Sequence, residues 1–258
     1  MLSDPLHGLT TALTDLGGQR VWSLLVTVFG DLTPDEGAGI DGPVLSGIMG
    51  RMNVRAEATR VALHRLRNDG WITSTKSGRT SRHSLTDHGR RETVQASRRI
   101  YAAPDAAPGG WTVLLTEEAN GDQRSQLETA GFTHLAPRIY VGPAGRPVPG
   151  NALVLSGAEV PDWLRRQLTP EGLCADYRAL HRILSEVDST LPKGTDLPPL
   201  DCAVLRCLIV HNWRRLVLKH PELPRALYTD DWREQECRAL VSTLLHRFPR
   251  PNLADLAR

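Results

Sequence analysis

Residues 54–85 constrain the fold more than any other part of the sequence, because a helical pattern passes directly into a hairpin pattern. In VRAEATRVALHRLRND (54–69) the less polar residues share one face when positions advance by about 100° each. Those residues are Thr59, Ala62, Leu63 and Leu66. WITSTKSGRTSRHSL (71–85) then alternates strand-forming residues around Lys-Ser-Gly-Arg, where Gly78 can adopt the positive φ of a tight turn. The segment predicts an amphipathic helix followed by a two-stranded hairpin.

Two further helices are predicted before this segment. VWSLLVTVFGDL (21–32) is apolar and ends at Gly-Asp and Thr-Pro breakers. PVLSGIMGRM (43–52) begins with a proline, which suits a first helical turn because its missing N–H has no partner there. Asn53 is a candidate N-cap for the third helix, which we expect to stop at Gly70. Three helices and a hairpin in this order predict a winged helix-turn-helix domain at residues 1–101.

The positive charge of the chain is concentrated in the same region. Residues 51–100 carry twelve Lys or Arg and four Asp or Glu, a local charge of +8 in a chain whose formal net charge is +2. Nucleic acid responds to such a local field rather than to net charge. The pattern predicts double-stranded DNA as the partner. The alternatives are a solvated basic face and a winged helix that contacts protein.

The candidate DNA-binding residues lie near the third helix, on its polar face and along the hairpin. Side chains on the helix are expected to enter the major groove, and side chains on the hairpin to reach flanking phosphates. For each of them the alternative is a surface position that touches no base. The predicted DNA-binding residues are Arg51, Arg55, Arg60, His64, Arg67, Lys76, Arg79 and Arg82.

A linker rich in Pro and Gly, AAPDAAPGG (102–110), separates this region from the rest of the chain. Three strands and one helix that ends at Gly131 predict a small α+β domain at residues 110–168. The strands are WTVLLTE (111–117), THLAPRIYVGP (133–143), which is broken at Pro137, and NALVLSG (151–157). Helical periodicity predicts a helical domain at residues 169–258, so the whole chain is expected to be an α+β protein with several domains.

Several motifs resemble the phenylacetate-catabolism repressor (PaaX-like) family. The third helix, the basic hairpin and LTDHGR (85–90) are similar to the family's N-terminal region, and GWTVLL and GFTHLAPRIYVGP to its central domain. HNWRRLVLKHPELPRALYTDDW (211–232) is similar to the family's arginine-rich helix, Pro-x-Leu-Pro element and Asp-Trp dipeptide. The resemblance covers about residues 19–250. The chain departs from the family at His83, where an aromatic residue is usual, and in its short central segment.

The resemblance implies a homodimeric transcriptional repressor of a catabolic operon, with a ferredoxin-like (Cas2-like) dimerisation domain in the centre. It also implies release from the operator by a small-molecule effector, an acyl- or aryl-CoA thioester. Tandem arginines suit the phosphates of CoA, and neighbouring tryptophans suit stacking on adenine or an aryl group. The alternative is that these tryptophans are core residues and the arginines pair with acids. The candidate effector-binding residues are Trp163, Arg165, Arg166, Trp213, Arg214 and Arg215.

Two other site chemistries have weaker support in the sequence. Glu117 and Glu118 end a predicted strand, where a nuclease would hold a metal ion, but no second ligand cluster accompanies them. A zinc or thiol-sensing site is the other possibility, although cysteines in apolar helices are usually buried core residues. Its members would be Cys202, Cys207, His211 and Cys237.

We therefore expect no metal, no cofactor and no enzymatic activity. The apolar stretches fall short of the ~20 residues that a membrane span requires, and the N-terminal residues do not match a signal peptide. These observations predict a cytoplasmic protein without a membrane partner. The rival hypotheses are an enzyme of CoA or nucleic-acid metabolism with a DNA-binding appendage, and a ligand-independent DNA-binding protein. No Gly-rich phosphate loop or Ser-His-Asp arrangement supports the enzyme.

Overall fold

The structure is a computed structural model that describes residues 4–18, 20–78, 80–104, 109–117, 121–157 and 159–257. Its N-terminal elements are α1 (Asp4–Asp15), α2 (Val21–Leu32), β1 (Ile40–Asp41), α3 (Gly42–Arg51), α4 (Ala56–Asn68), β2 (Ile72–Ser77), β3 (Thr80–Leu85) and α5 (Asp87–Ile100). The sequence analysis did not predict α1. Its Leu6, Leu9 and Leu13 are buried, so one face of this helix packs against the C-terminal helices.

The order of helices α2, α3 and α4 and of the following hairpin agrees with the elements predicted from the sequence. Gly70 follows the end of α4 with a φ of 72°, which agrees with the predicted stop. The predicted N-cap is wrong, because Arg55 is the N-cap and Asn53 lies in the preceding turn with a φ of 59°. Asparagine tolerates this left-handed conformation better than most residues, so Asn53 shapes the turn between α3 and α4.

Strands β2 and β3 form an antiparallel hairpin that starts with Ile72 opposite Leu85. Gly78, in the turn, has a φ of 62°, as the sequence predicts. Strand β1 pairs with β3 as a third strand. The Thr86 hydroxyl accepts a hydrogen bond from the backbone N–H of Gly89 at 3.1 Å, which caps α5 immediately after the hairpin.

The described central residues form an antiparallel sheet with the strand order β5–β6–β4–β7. Its elements are β4 (Trp111–Leu115), α6 (Gly121–Thr129), β5 (Thr133–Ala136), β6 (Ile139–Pro143) and β7 (Leu153–Ser156). The prediction of one broken strand at residues 133–143 is wrong. Arg138 has a positive φ of 70° and the chain reverses, so this segment is a hairpin.

The central sheet has the strand order and directions of a βαββαβ unit. Helix α6 covers one face, where Leu114, Leu127, Phe132 and Tyr140 form a small separate core. Residues 144–152, which connect β6 to β7, contain no helix where the second crossover helix of such a unit would lie. The chain therefore has the sheet of this unit with one crossover helix.

The C-terminal region is helical, as its periodicity predicts. It consists of α7 (Asp162–Leu168), α8 (Glu171–Thr190), α9 (Pro199–Val217), α10 (Glu234–Arg247) and short 3-10 turns at Arg225–Leu227 and Leu253–Ala257. Within the described ranges, no helix is both long and apolar enough to cross a membrane.

Helix α9 lies at the centre of the core, because it packs against α1, α2, α3 and α5 as well as α8 and α10. Trp213 of α9 and Leu24 of α2 belong to one apolar cluster. The Asn212 amide donates to the Leu13 carbonyl at 2.8 Å, and the Trp213 indole N–H donates to the Ile100 carbonyl at 2.8 Å. The N-terminal region and the C-terminal helices thus share one core, which holds the helix and hairpin described next.

Candidate nucleic-acid interface

Helix α4 presents one polar face to solvent. It buries the face that the sequence assigns to packing. The buried members of that face are Thr59, Ala62 and Leu66, and Leu63 is half-buried. Because an α-helix repeats about every 3.6 residues, Arg60, His64 and Arg67 lie on the other side, and all three are exposed. The predicted polar face is therefore available to a partner.

Four of the predicted DNA-binding cations are exposed and lack a carboxylate partner. They are Arg55, Arg60, Arg67 and Lys76, and no acidic side chain among the described residues forms an ion pair with them. Arg55 is the N-cap of α4, and Lys76 lies on β2. Arg79, predicted at the hairpin tip, lies outside the described residues. The charged groups of these four side chains are therefore free of ion pairs with any described carboxylate.

Two other predicted DNA-binding residues take part in contacts within the fold. Arg51, at the end of α3, pairs with Asp201, which is buried near the start of α9. Arg82 of β3 donates to Asp41 at 3.3 Å, next to the start of α3. Both arginines hold α3 in place. Their charges are partly neutralised, so we expect them to bind phosphate less well than the four unpaired cations do.

His83 lies on β3, opposite Ile40 of β1 and Ser74 of β2. Its Nδ1 is 2.7 Å from the Ser74 hydroxyl on the neighbouring strand, and the side chain is buried. Burial lowers the pKa of His83, and the nearby positive charge of Arg67 lowers this pKa further against the opposing effect of Asp41. The ring is therefore neutral at pH 7. Helix α4 also packs against β2, so its basic face and the hairpin adjoin each other.

Sequence reasoning missed a cleft between the start of α2 and the side of α4. Trp22 lies on one side of the cleft, and Glu57 and Val61 lie on the other. The Arg65 guanidinium lies 5.3 Å from the centre of the Trp22 ring and also pairs with Asp69 at 3.5 Å. Val61 is 67% exposed. A β-branched residue at an exposed position among charged ones is the sequence signal that indicates this site.

The predicted effector-binding residues fall into two groups, on α7 and on α9. On α7, Trp163 is 60% exposed and Arg166 is also exposed. Arg165 lies 4.0 Å from the carboxylate of Asp230, near the 3-10 turn that follows α9. These α7 side chains are thus accessible to solvent, with one weak ion pair among them.

On α9 the predicted effector-binding residues contact the N-terminal helices. Trp213 is fully buried. Arg214 donates to the Ser23 carbonyl and to the Thr27 hydroxyl, each at 3.0 Å, and burial lowers its pKa. Arg215 donates to the Gly17 carbonyl, two residues after the end of α1, at 3.2 Å. In this arrangement the tandem arginines dock α9 onto α2 and onto the segment between α1 and α2, and their contact with an effector stays a prediction.

The residues considered for metal or thiol chemistry are dispersed. Across the described ranges, no group of three or more His, Cys, Asp or Glu is placed to hold a metal ion. Cys202, Cys207 and Cys237 are buried, and burial raises the pKa of each thiol. Glu117 is exposed after β4, and Glu118 lies outside the described residues.

Known proteins resemble this chain over most of its length. It matches a family model described as PaaX-like protein over residues 20–89 and one described as PaaX-like protein C-terminal domain over residues 170–254. It is 28% identical over 256 residues to "Transcriptional repressor PaaX" of Escherichia coli (strain K12), which covers 87% of this chain and 79% of that protein. Among solved structures, an uncharacterized protein from Mycobacterium tuberculosis is 20% identical with a TM-score of 0.49, over 88% of this chain and 96% of that chain.

The fold and the site define an α+β protein that carries a cationic helix face and a basic hairpin on one surface. The two matched models include the helix and hairpin at one end and helices α9 and α10 at the other. The chain belongs to the PaaX-like family.

Proposed function

We propose that this chain is a DNA-binding transcriptional repressor whose N-terminal region is a winged helix-turn-helix. The observation that carries the proposal is the basic face of α4 beside the hairpin, with Arg60, His64 and Arg67 exposed opposite a buried face. The name of the Escherichia coli relative supports both a repressor function and a non-enzymatic role. Helix α4 enters the major groove, and the hairpin follows the flanking backbone.

The exposed side chains divide by the part of DNA that suits their chemistry. Arg60 and Arg67 present guanidinium groups, which bind guanine O6 and N7 through two hydrogen bonds. His64 offers a ring nitrogen to a base edge. Arg55 and Lys76 bind phosphates, which positions the protein and strengthens binding without reading sequence.

We further propose a cytoplasmic homodimer that dissociates from its operator when it binds a small-molecule effector, an acyl- or aryl-CoA thioester. Two copies place their α4 helices in major grooves about 34–36 Å apart. The sheet of residues 110–168 is the proposed dimerisation domain, of ferredoxin-like type with one crossover helix. Because Arg214 and Arg215 connect α9 to α2 and to the segment between α1 and α2, an effector that displaces α9 changes the spacing of the two α4 helices.

The substitution Arg60→Ala tests the contact with DNA. We expect the affinity for a duplex from the promoter of the chain's own gene to fall by about 1–3 kcal/mol, roughly 5- to 140-fold, with a smaller loss on a random duplex. Fluorescence anisotropy measures both affinities. Arg178→Ala, at an exposed position on α8, is the matched control and should bind like the wild type.

This experiment tests two claims separately: that Arg60 contacts bases, and that the chain binds DNA. Equal losses on the two duplexes would mean that Arg60 contacts phosphate rather than bases. Failure of the wild-type protein to bind either duplex would overturn the DNA-binding function.

Release by an effector is tested on the same labelled complex. We expect one member of a panel of acyl- and aryl-CoA thioesters to dissociate it, while free CoA does not. A complex that survives every thioester would contradict the proposed effector class.

A further inference from the structure

Val61 is the most exposed large apolar side chain among the described residues, at 67% of its surface. It lies in the middle of α4, one turn after Glu57 and one turn before Arg65. Alanine would form a helix better at such a position, because a β-branched side chain loses rotamer freedom there. Helix formation therefore does not favour valine at position 61, and its side chain stays largely exposed at the edge of the Trp22 cleft.

The position of Val61 on α4 places it on the proposed DNA-facing surface. At about 100° per residue, Val61 lies about 60° from His64 and about 100° from Arg60, on the side opposite the buried face. Glu57 lies about 20° from His64 on the same exposed face. A groove that receives His64 thus also receives Val61.

The chemistry of this part of the face fits base edges better than phosphates. A carboxylate such as Glu57 repels phosphate, and the isopropyl group of Val61 offers phosphate no hydrogen bond. The major groove has a partner for each of them, since the cytosine amino group donates to carboxylates and the thymine 5-methyl group is an apolar contact. Phosphate contacts are left to the unpaired cations Arg55, which lines the same cleft as Glu57 and Val61, and Lys76 of the hairpin.

We propose that Val61 is a specificity-determining residue that packs against the 5-methyl group of a thymine in the major groove. This inference rests on the proposed DNA-binding function and deepens it, because it names a base that the operator contains and the side chain that reads it. Charge complementarity argues for DNA as the occupant, since Arg55, Arg60 and Arg67 are exposed on the same helix or at its N-cap and form no ion pair with a described carboxylate.

Selection from a random-sequence duplex library tests the proposal with three proteins. They are the wild type, Val61→Ala, and the matched control Val94→Ala, whose valine is 55% exposed on α5. We expect wild type and Val94→Ala to enrich the same sequence, with thymine at one position in each half-site. Val61→Ala should lose the preference at that position alone. Circular dichroism checks that both variants keep wild-type helix content.

Replacing that thymine by uracil then removes only the methyl group. We expect the wild-type affinity to fall roughly fourfold, the value of one buried methyl group, and the affinity of Val61→Ala to stay unchanged. If Val61→Ala selects the wild-type sequence, or if the wild type binds uracil and thymine equally, Val61 does not read the base. If the wild type enriches no sequence at all, the DNA-binding function itself fails and this inference fails with it.

Discussion

Replacing Asp31 by alanine should destabilise the fold strongly, because it leaves a buried cation without its counterion. Asp31 of α2 is 1% exposed and accepts hydrogen bonds from Arg206 Nε at 2.7 Å and Nη2 at 3.0 Å. The Tyr101 hydroxyl donates to the same carboxylate at 2.7 Å. Arg206 of α9 is 6% exposed, and its remaining partners are the carbonyl groups of Leu245 and Phe248. The pair links the N-terminal region to the central helix of the core.

The size of the effect follows from the burial of both charges. Burial by itself lowers the pKa of Arg206, but the hydrogen bonds and the charge of Asp31 outweigh this effect and raise the pKa. Breaking a buried ion pair by removing one partner costs about 3–5 kcal/mol. The control substitution is Asp69→Ala, because Asp69 is 51% exposed and pairs with Arg65 at 3.5 Å. Losing such a surface pair costs about 0–1 kcal/mol.

Urea denaturation at pH 7 measures the free energy of unfolding of each variant. We expect Asp31→Ala to lose about 3–5 kcal/mol and Asp69→Ala less than about 1 kcal/mol. The double variant Asp31→Leu/Arg206→Met should recover most of the loss, because no charge then remains buried. A loss below about 1 kcal/mol for Asp31→Ala would refute the inference that this pair holds α2 on α9.

Three further predictions concern single side chains. Lys76→Ala should make the slope of log DNA affinity against log salt concentration shallower by about 0.9, because one phosphate contact is lost. The control Lys193→Ala, at an exposed loop position, should leave the slope unchanged. If both variants keep the wild-type slope, the hairpin does not contact DNA. Burial lowers the pKa of His211 from 6.5 to about 3. Below pH 6.5 the unfolded chain therefore binds a proton that the folded chain does not. The free energy of unfolding should fall there by up to ~1.4 kcal/mol per pH unit. Urea titrations at pH 7 and pH 5 should show a weaker fall for His211→Asn, and an unchanged fall would exclude this residue as a cause. A methyl group at Gly89 would overlap the backbone carbonyl of Trp71, which precedes β2, so Gly89→Ala should lower Tm. Gly8→Ala on α1, where space is open, should stabilise the fold by roughly 0.5–1 kcal/mol. Equal changes in Tm for the two variants would contradict this packing.

The helix and hairpin of the candidate site were predictable because their determinants are local. The helical repeat of Thr59, Ala62 and Leu66 fixes which face of α4 is buried. Gly78 supplies the positive φ at the turn of the hairpin. Each feature depends on residues only a few positions apart, so the sequence pattern alone indicates which side chains of α4 are exposed.

The parts that the sequence did not predict depend on distant contacts or on unusual backbone. The sequence predicts Arg51 as a DNA-binding residue, but the fold brings it to Asp201, which is 150 positions away in the chain. The sequence predicts Arg214 as an effector-binding residue, but its guanidinium contacts the carbonyl of Ser23, which is 191 positions away in the chain. The reversal at Arg138 requires a positive φ at a residue that rarely adopts one, which no periodicity signals.

Photocrosslinking tests most directly the claim that α4 lies against DNA. A benzophenone side chain replaces His64 at the centre of the exposed face of α4, and in a second protein it replaces the exposed Arg178 of α8. Each protein is irradiated in complex with the duplex that the wild type selects. We expect covalent attachment to DNA from position 64 and none from position 178. Attachment from position 178, or no attachment from position 64 while the duplex stays bound, would contradict the claim.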